Sequence, residues 1–241
     1  MQRERGILGF TLAEILITLG IIGVVAALTL PTLIQNYEKK VTVNKLKETY
    51  SILSQAVRMS EAQNGELKDW DIPNADWNAS AYTQGEILAK KYITPYLKVM
   101  KTCKYREEGC LPEKSYRLNG DEDNYYSRST NNTYNIILSN GVLLGFWPRS
   151  NLVEIYVDLN ARQKPNTSGK DIFDILILKN STVGIFGNIP KPGVYFYGQG
   201  LERTALKNSG YPCRKTGTLT GGYCGALIML DGWEIKDDYP W

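Results

Sequence analysis

From Phe10 to Leu30 the chain is apolar at every position except Thr11, Glu14, Thr18 and Thr29. A run with no polar face reads as a helix that is buried all round or set in lipid. Its span, at about 1.5 Å per residue, is roughly 30 Å, the hydrocarbon thickness of a bilayer. A secretory signal peptide is the plainer reading, but its apolar region is typically about 7–15 residues and ends in a small-residue cleavage site. Residues 1–9, MQRERGILG, place Arg3 and Arg5 ahead of the run. Those charges favour a cytoplasmic N-terminus, with Lys39 and Lys40 beyond the helix pulling the other way.

Past Pro31 the pattern changes. Val43, Leu46, Tyr50, Leu53 and Val57 recur at three- and four-residue steps with charged residues on the other face. That is the stripe of an amphipathic helix, continuing to about Gln63 and stopping at Asn64-Gly65. Residues 81–99 predict a second helix, with Pro95 as a break near its end. From Tyr134, YNIILSNGVLLGFW predicts two antiparallel strands around a two-residue Asn140-Gly141 turn. Further strands are expected at 152–158, 172–179, 182–186, 193–197 and 226–230. The whole reads as α+β: a long N-terminal helix, half membrane and half amphipathic, packed on an antiparallel sheet in an order the pattern does not set. Residues 1–9 form a leader, 10–63 the long helix with its apolar segment at 10–30, and 64–241 one globular head without internal repeat or low-complexity linker.

Glu14 changes the picture. A charge inside an apolar span costs a few kcal/mol to insert and is usually functional. No basic residue lies between Phe10 and Leu30, but cutting between Gly9 and Phe10 would create an α-amine about 6 Å along the helix axis from Glu14.

With those residues in view, GFTLAEILITLGIIGVVAALTLP resembles the N-terminal signature of type IV prepilins and type II secretion pseudopilins: a basic leader ending in glycine, then phenylalanine, then glutamate four residues on. The resemblance implies that a prepilin peptidase cuts after Gly9 and methylates the new amine of Phe10. It implies that Glu14 recruits each incoming subunit by pairing with its neighbour's methylated amine, offsetting the burial of both charges. Pro31 matches the family's helix-breaking proline and reads equally well as the mark of the membrane exit. The implied fold is pilin-like, and the implied protein is no enzyme but a minor pilin or pseudopilin of a type IV pilus or type II secretion-like filament. Its partners would be the peptidase, other pilin subunits, an assembly platform and the inner membrane, with the head outside the cytoplasm. A single-span anchored extracytoplasmic binding protein and a DNA-uptake pilin are the alternatives.

Composition narrows the chemistry. The 241 residues carry 28 basic and 25 acidic side chains, a net charge of +3, so charge names no partner. Histidine is absent, which removes the commonest general base, metal ligand and nucleophile activator. Cys103 with Cys110 and Cys213 with Cys224 lack the spacing of a redox motif or zinc site. Two disulfides in an oxidising space are favoured over buried free thiols.

Three groups remain. Asp158, Asn160, Asn166 and Asp171 surround a turn in VDLNARQKPNTSGKDIF, and their oxygens suit a hard cation such as calcium; turn-capping by the same side chains is the plainer reading. Glu107-Glu108 and Asp121-Glu122-Asp123 read as solvated loop charges, not catalytic pairs. Tyr125-Tyr126 with Arg128, and Lys191 to Tyr197, mix basic and aromatic residues as nucleic-acid surfaces do, although a solvated sheet face accounts for them more simply.

Overall fold

The computed structural model describes residues 11–123 and 125–241; Gly9 and Phe10, the expected cleavage site, lie outside them. Helix α1 (Leu12–Asn64) is 53 residues long and passes through Pro31 in helical conformation. The chain divides into two compact units, residues 1–41 and 42–241. In the first, the described side chains from Leu12 to Leu33 are exposed apart from half-buried Ala26. This is one helix long and apolar enough to cross a membrane.

In the second unit, Val43, Leu46, Leu53 and Val57 of α1 are buried in the main core, as the stripe requires. The sheet is antiparallel and six-stranded: β1 (Val99–Cys103), β2 (Tyr134–Leu138), β3 (Leu143–Arg149), β4 (Leu152–Asp158), β5 (Ile172–Leu178) and β6 (Gly193–Phe196). Its spatial order is its sequence order, β1 to β6. Tyr50 fastens α1 to β6: its ring stacks on Phe196 at 5.0 Å and its hydroxyl donates to the Val194 carbonyl at 2.9 Å. Helix α2 (Ala79–Tyr92) starts on Asn78, whose side chain accepts from Ser80 N, and lies against β2 and β3. Its approach depends on Gly85, where a Cβ would stand 2.5 Å from the Phe146 carbonyl oxygen. The arrangement is the expected α+β one, a long helix on an antiparallel sheet.

Four local expectations are corrected. The second helix ends at Tyr92, and residues 99–103 are β1. This strand carries Lys101 along an exposed edge, so it lacks the apolar alternation of an inner strand. The hairpin turn has three residues rather than two. Leu138 N donates to the Val142 carbonyl, and Gly141 sits at φ 83° to close the extra residue. Residues 182–186 form no strand, only a bridge from Thr182 to Ile189, with Val183 and Ile185 exposed. Residues 226–230 are part of helix α4 (Cys224–Leu230), which follows the short α3 (Arg203–Asn208). Its apolar run is too short for periodicity to separate helix from strand, and packing decides. Gly225 lies so close to Phe196 that a Cβ would be 2.5 Å from the ring.

Candidate functional site

At the start of α1 the chain reads Thr11-Leu12-Ala13-Glu14, and its side chains close a reciprocal cap. Thr11 N and Thr11 Oγ1 each donate to Glu14 Oε2 at 2.8 Å, while Glu14 N donates to Thr11 Oγ1 at 3.3 Å. This is the capping-box pattern, in which an N-terminal Thr and a Glu three residues on satisfy each other's backbone donors. Glu14 is therefore a helix-start residue as well as a charge in an apolar span, a role legible in T-x-x-E but absent from the reading above.

Both cysteine pairs are disulfides, Cys103–Cys110 and Cys213–Cys224. The first ties the end of β1 to its following loop, and the second ties α4 to the loop after α3. The structure also gathers the four residues of the expected cation loop. Asp158 ends β4 and Asp171 immediately precedes β5, so the hairpin brings both carboxyls to one end of the sheet. Asp158 accepts from Asn160 N at 3.1 Å and the Tyr156 hydroxyl at 3.3 Å. Asp171 accepts from Asn166 N at 2.8 Å and Thr167 N at 2.7 Å. The Asn160 and Asn166 amide nitrogens point to the Lys164 and Arg162 carbonyls, leaving both Oδ1 atoms buried without a donor among the described residues. Burial, and then the charge of Asp171, push Asp158 well above the usual carboxylate range. No set of three or more His, Cys, Asp or Glu side chains forms among the described residues, so this donor group has two carboxylates and two amide oxygens.

A second site was not anticipated. A cavity of about 220 Å³ opens over β3, β4 and β5, and seven of its lining residues are aromatic. Alternation in β4 builds its floor: Val153, Ile155 and Val157 join the main core, while Glu154 and Tyr156 line the cavity. Asp174 of β5 stands opposite Tyr156 in the register. Tyr126 stacks on Tyr156 at 4.4 Å and donates its hydroxyl to Asp174 at 2.7 Å. Burial, reinforced by Glu154, pushes the Asp174 carboxyl up to about 8.

The walls carry two ion pairs, Arg149 with Glu154 at 3.0 Å and Arg117 with Asp123 at 3.6 Å. The Arg149 guanidinium lies 4.5 Å over the Trp147 ring, and the Trp147 Nε1 is anchored to the Ala75 carbonyl at 2.9 Å. Trp77 meets Trp147 edge-on at 4.6 Å and Tyr125 at 5.1 Å, forming a half-exposed aromatic rim. Of the basic-aromatic stretches, Tyr125, Tyr126 and Tyr197 line this cavity, whereas Arg128 pairs outside it with Glu113 at 2.8 Å.

A family model described as "Family of unknown function (DUF6613)" matches residues 32–241. The chain belongs to DUF6613. No curated protein and no solved structure matches the chain. The DUF6613 match begins one residue after Pro31. It takes in both disulfides, the Asp158–Asp171 loop and the whole aromatic cavity, while Glu14 precedes it. Lining residues of the cavity run from Trp77 to Gly222, so no short motif of DUF6613 could have announced it. Two local signals were present: the polar alternation of β4, and an aspartate amid the apolar run of β5.

Proposed function

We propose that the chain is a filament subunit of the pilin or pseudopilin kind, cut after Gly9 by a prepilin peptidase and assembled through the apolar part of α1. One observation supports it above the rest. The all-round apolar segment of α1, residues 12–30, bears one carboxylate, Glu14, at its start, and the helix continues into the core of a disulfide-bonded head. An anchor needs only the apolar length; a carboxylate there is costly unless something pairs with it. Intact mass and N-terminal sequencing of the protein expressed with and without a prepilin peptidase test the reading. A peptidase-dependent start at N-methylated Phe10 is expected. A persistent Met1 start would leave the second reading, a single-span anchored extracytoplasmic binding protein, which the cavity in the head favours.

For the head, the reading includes one structural cation of the calcium type at Asp158, Asn160, Asn166 and Asp171. Asn166 Oδ1 is buried and lacks a donor among the described residues, and two buried carboxyls stand nearby. A hard cation takes that donor set. Tyr156, bonded to Asp158, would sensitise bound terbium. Saturable terbium emission that calcium displaces and Asp158→Asn removes is expected. Calcium at about 100 times its Kd should add about 2.7 kcal/mol of stability. Emission that fails to saturate would remove the cation from the reading.

A further inference from the structure

We infer that the head binds a neutral saccharide, taking one pyranose ring into the cavity over β3, β4 and β5. Its volume, about 220 Å³, is below the roughly 300–1,000 Å³ of sites for larger ligands, which suits a single ring with the rest of a glycan outside.

The lining has the two chemistries a sugar presents. Sugar hydroxyls donate and accept from adjacent carbons, and planar carboxylate and guanidinium groups meet such neighbouring pairs with two oriented bonds. Four of these groups line the cavity in mutual pairs, Arg149 with Glu154 and Arg117 with Asp123, and Asp174 is held by the Tyr126 hydroxyl. A sugar also has an apolar face of C–H bonds. The Trp147 ring already lies under the Arg149 guanidinium, and the half-exposed Trp77 and exposed Tyr125 beside it offer that face a platform.

Charge argues against the other occupants. Each arginine already faces an acid, so no cation is left over for a phosphate or carboxylate ligand. Each cavity acid likewise has its partner, Glu154 with Arg149, Asp123 with Arg117 and Asp174 with the Tyr126 hydroxyl, so no unpartnered carboxylate faces an alkylammonium group. A purely apolar guest would bury the two ion pairs without replacing their water, a desolvation cost with no return. The proposal concerns the head alone and holds whether or not the chain polymerises.

Saturation-transfer NMR on the full chain, in a detergent without a sugar headgroup, tests it against methyl glycosides of glucose, galactose, mannose and N-acetylglucosamine, with n-butylammonium as the cationic comparator. At least one glycoside should show saturable transfer. Asp174→Asn, which keeps shape and an acceptor for Tyr126, and Trp77→Ala, at the half-exposed rim, should each weaken it about tenfold or more, with near-UV circular dichroism confirming a folded head. The inference is overturned if no glycoside saturates, if butylammonium binds in their place, or if both folded variants bind as the parent does.

Discussion

Replacing Glu14 by glutamine should abolish incorporation of the subunit into filaments while leaving the head folded and the disulfides formed. The choice of glutamine follows from the cap at the start of α1. Glutamine serves the reciprocal cap with Thr11 as glutamate does, so Glu14→Gln removes the charge and spares the helix start. Alanine removes both the charge and the acceptor for Thr11 N. If Glu14 recruits a neighbour's amine, glutamine and alanine fail alike in a sheared-filament assay in cells carrying the assembly machinery. If its work is the cap, glutamine assembles normally and only alanine is impaired, an outcome that would strip Glu14 of its part in assembly.

The thermal midpoint of the full chain should fall as pH rises from 5.5 to 7.5, opposite to the trend of a protein stabilised by exposed ion pairs. In the unfolded chain Asp174 titrates near ~3.9, and in the fold it is held to about 8. Between those values the folded chain keeps a proton that the unfolded chain has lost. The contribution of Asp174 is therefore greatest below the unfolded pKa, declines by up to about 1.4 kcal/mol per pH unit, and levels off above about 8. Glu154 and Asp123, raised chiefly by burial, push the same way. Asp231 and Asp238, held low by Arg203, are already ionised in this window and contribute no slope. With chelator present to keep the Asp158 loop free of cation, Asp174 accounts for a loss of about 2–3 kcal/mol, or roughly 4–12 °C, and Asp158, raised by burial, adds in the same direction. Asp174→Asn should make the profile shallower and melt above the parent at pH 7.5. A midpoint that rises with pH, or a variant with the parent's slope, would contradict the buried protonated acid.

The elements legible in the sequence were those in which one periodicity ran long enough to exclude the other. The stripe from Val43 to Val57 and the stop at Asn64-Gly65 located the core half of α1, and β4 and β5 fell at 152–158 and 172–178. Short apolar runs failed where packing decided, as at 226–230, where the close contact of Gly225 with Phe196 belongs to a helix. The polar edge strand β1 offered no alternation to read. Of the sites, the Asp158–Asp171 loop was visible because its members are close in sequence. The aromatic cavity was not, because Trp77, Trp147 and Tyr211 meet only once the sheet has formed.

The strand order has a consequence for how the head comes into being. Because β1 to β6 lie in the sheet as they lie in the chain, each strand finds its partner already present, and none waits for a segment still to be synthesised. Contacts of short sequence separation form quickly, and the two disulfides join cysteines only 7 and 11 residues apart, within reach of a chain still incomplete. The sheet can thus grow along one edge, strand by strand, as the polypeptide emerges.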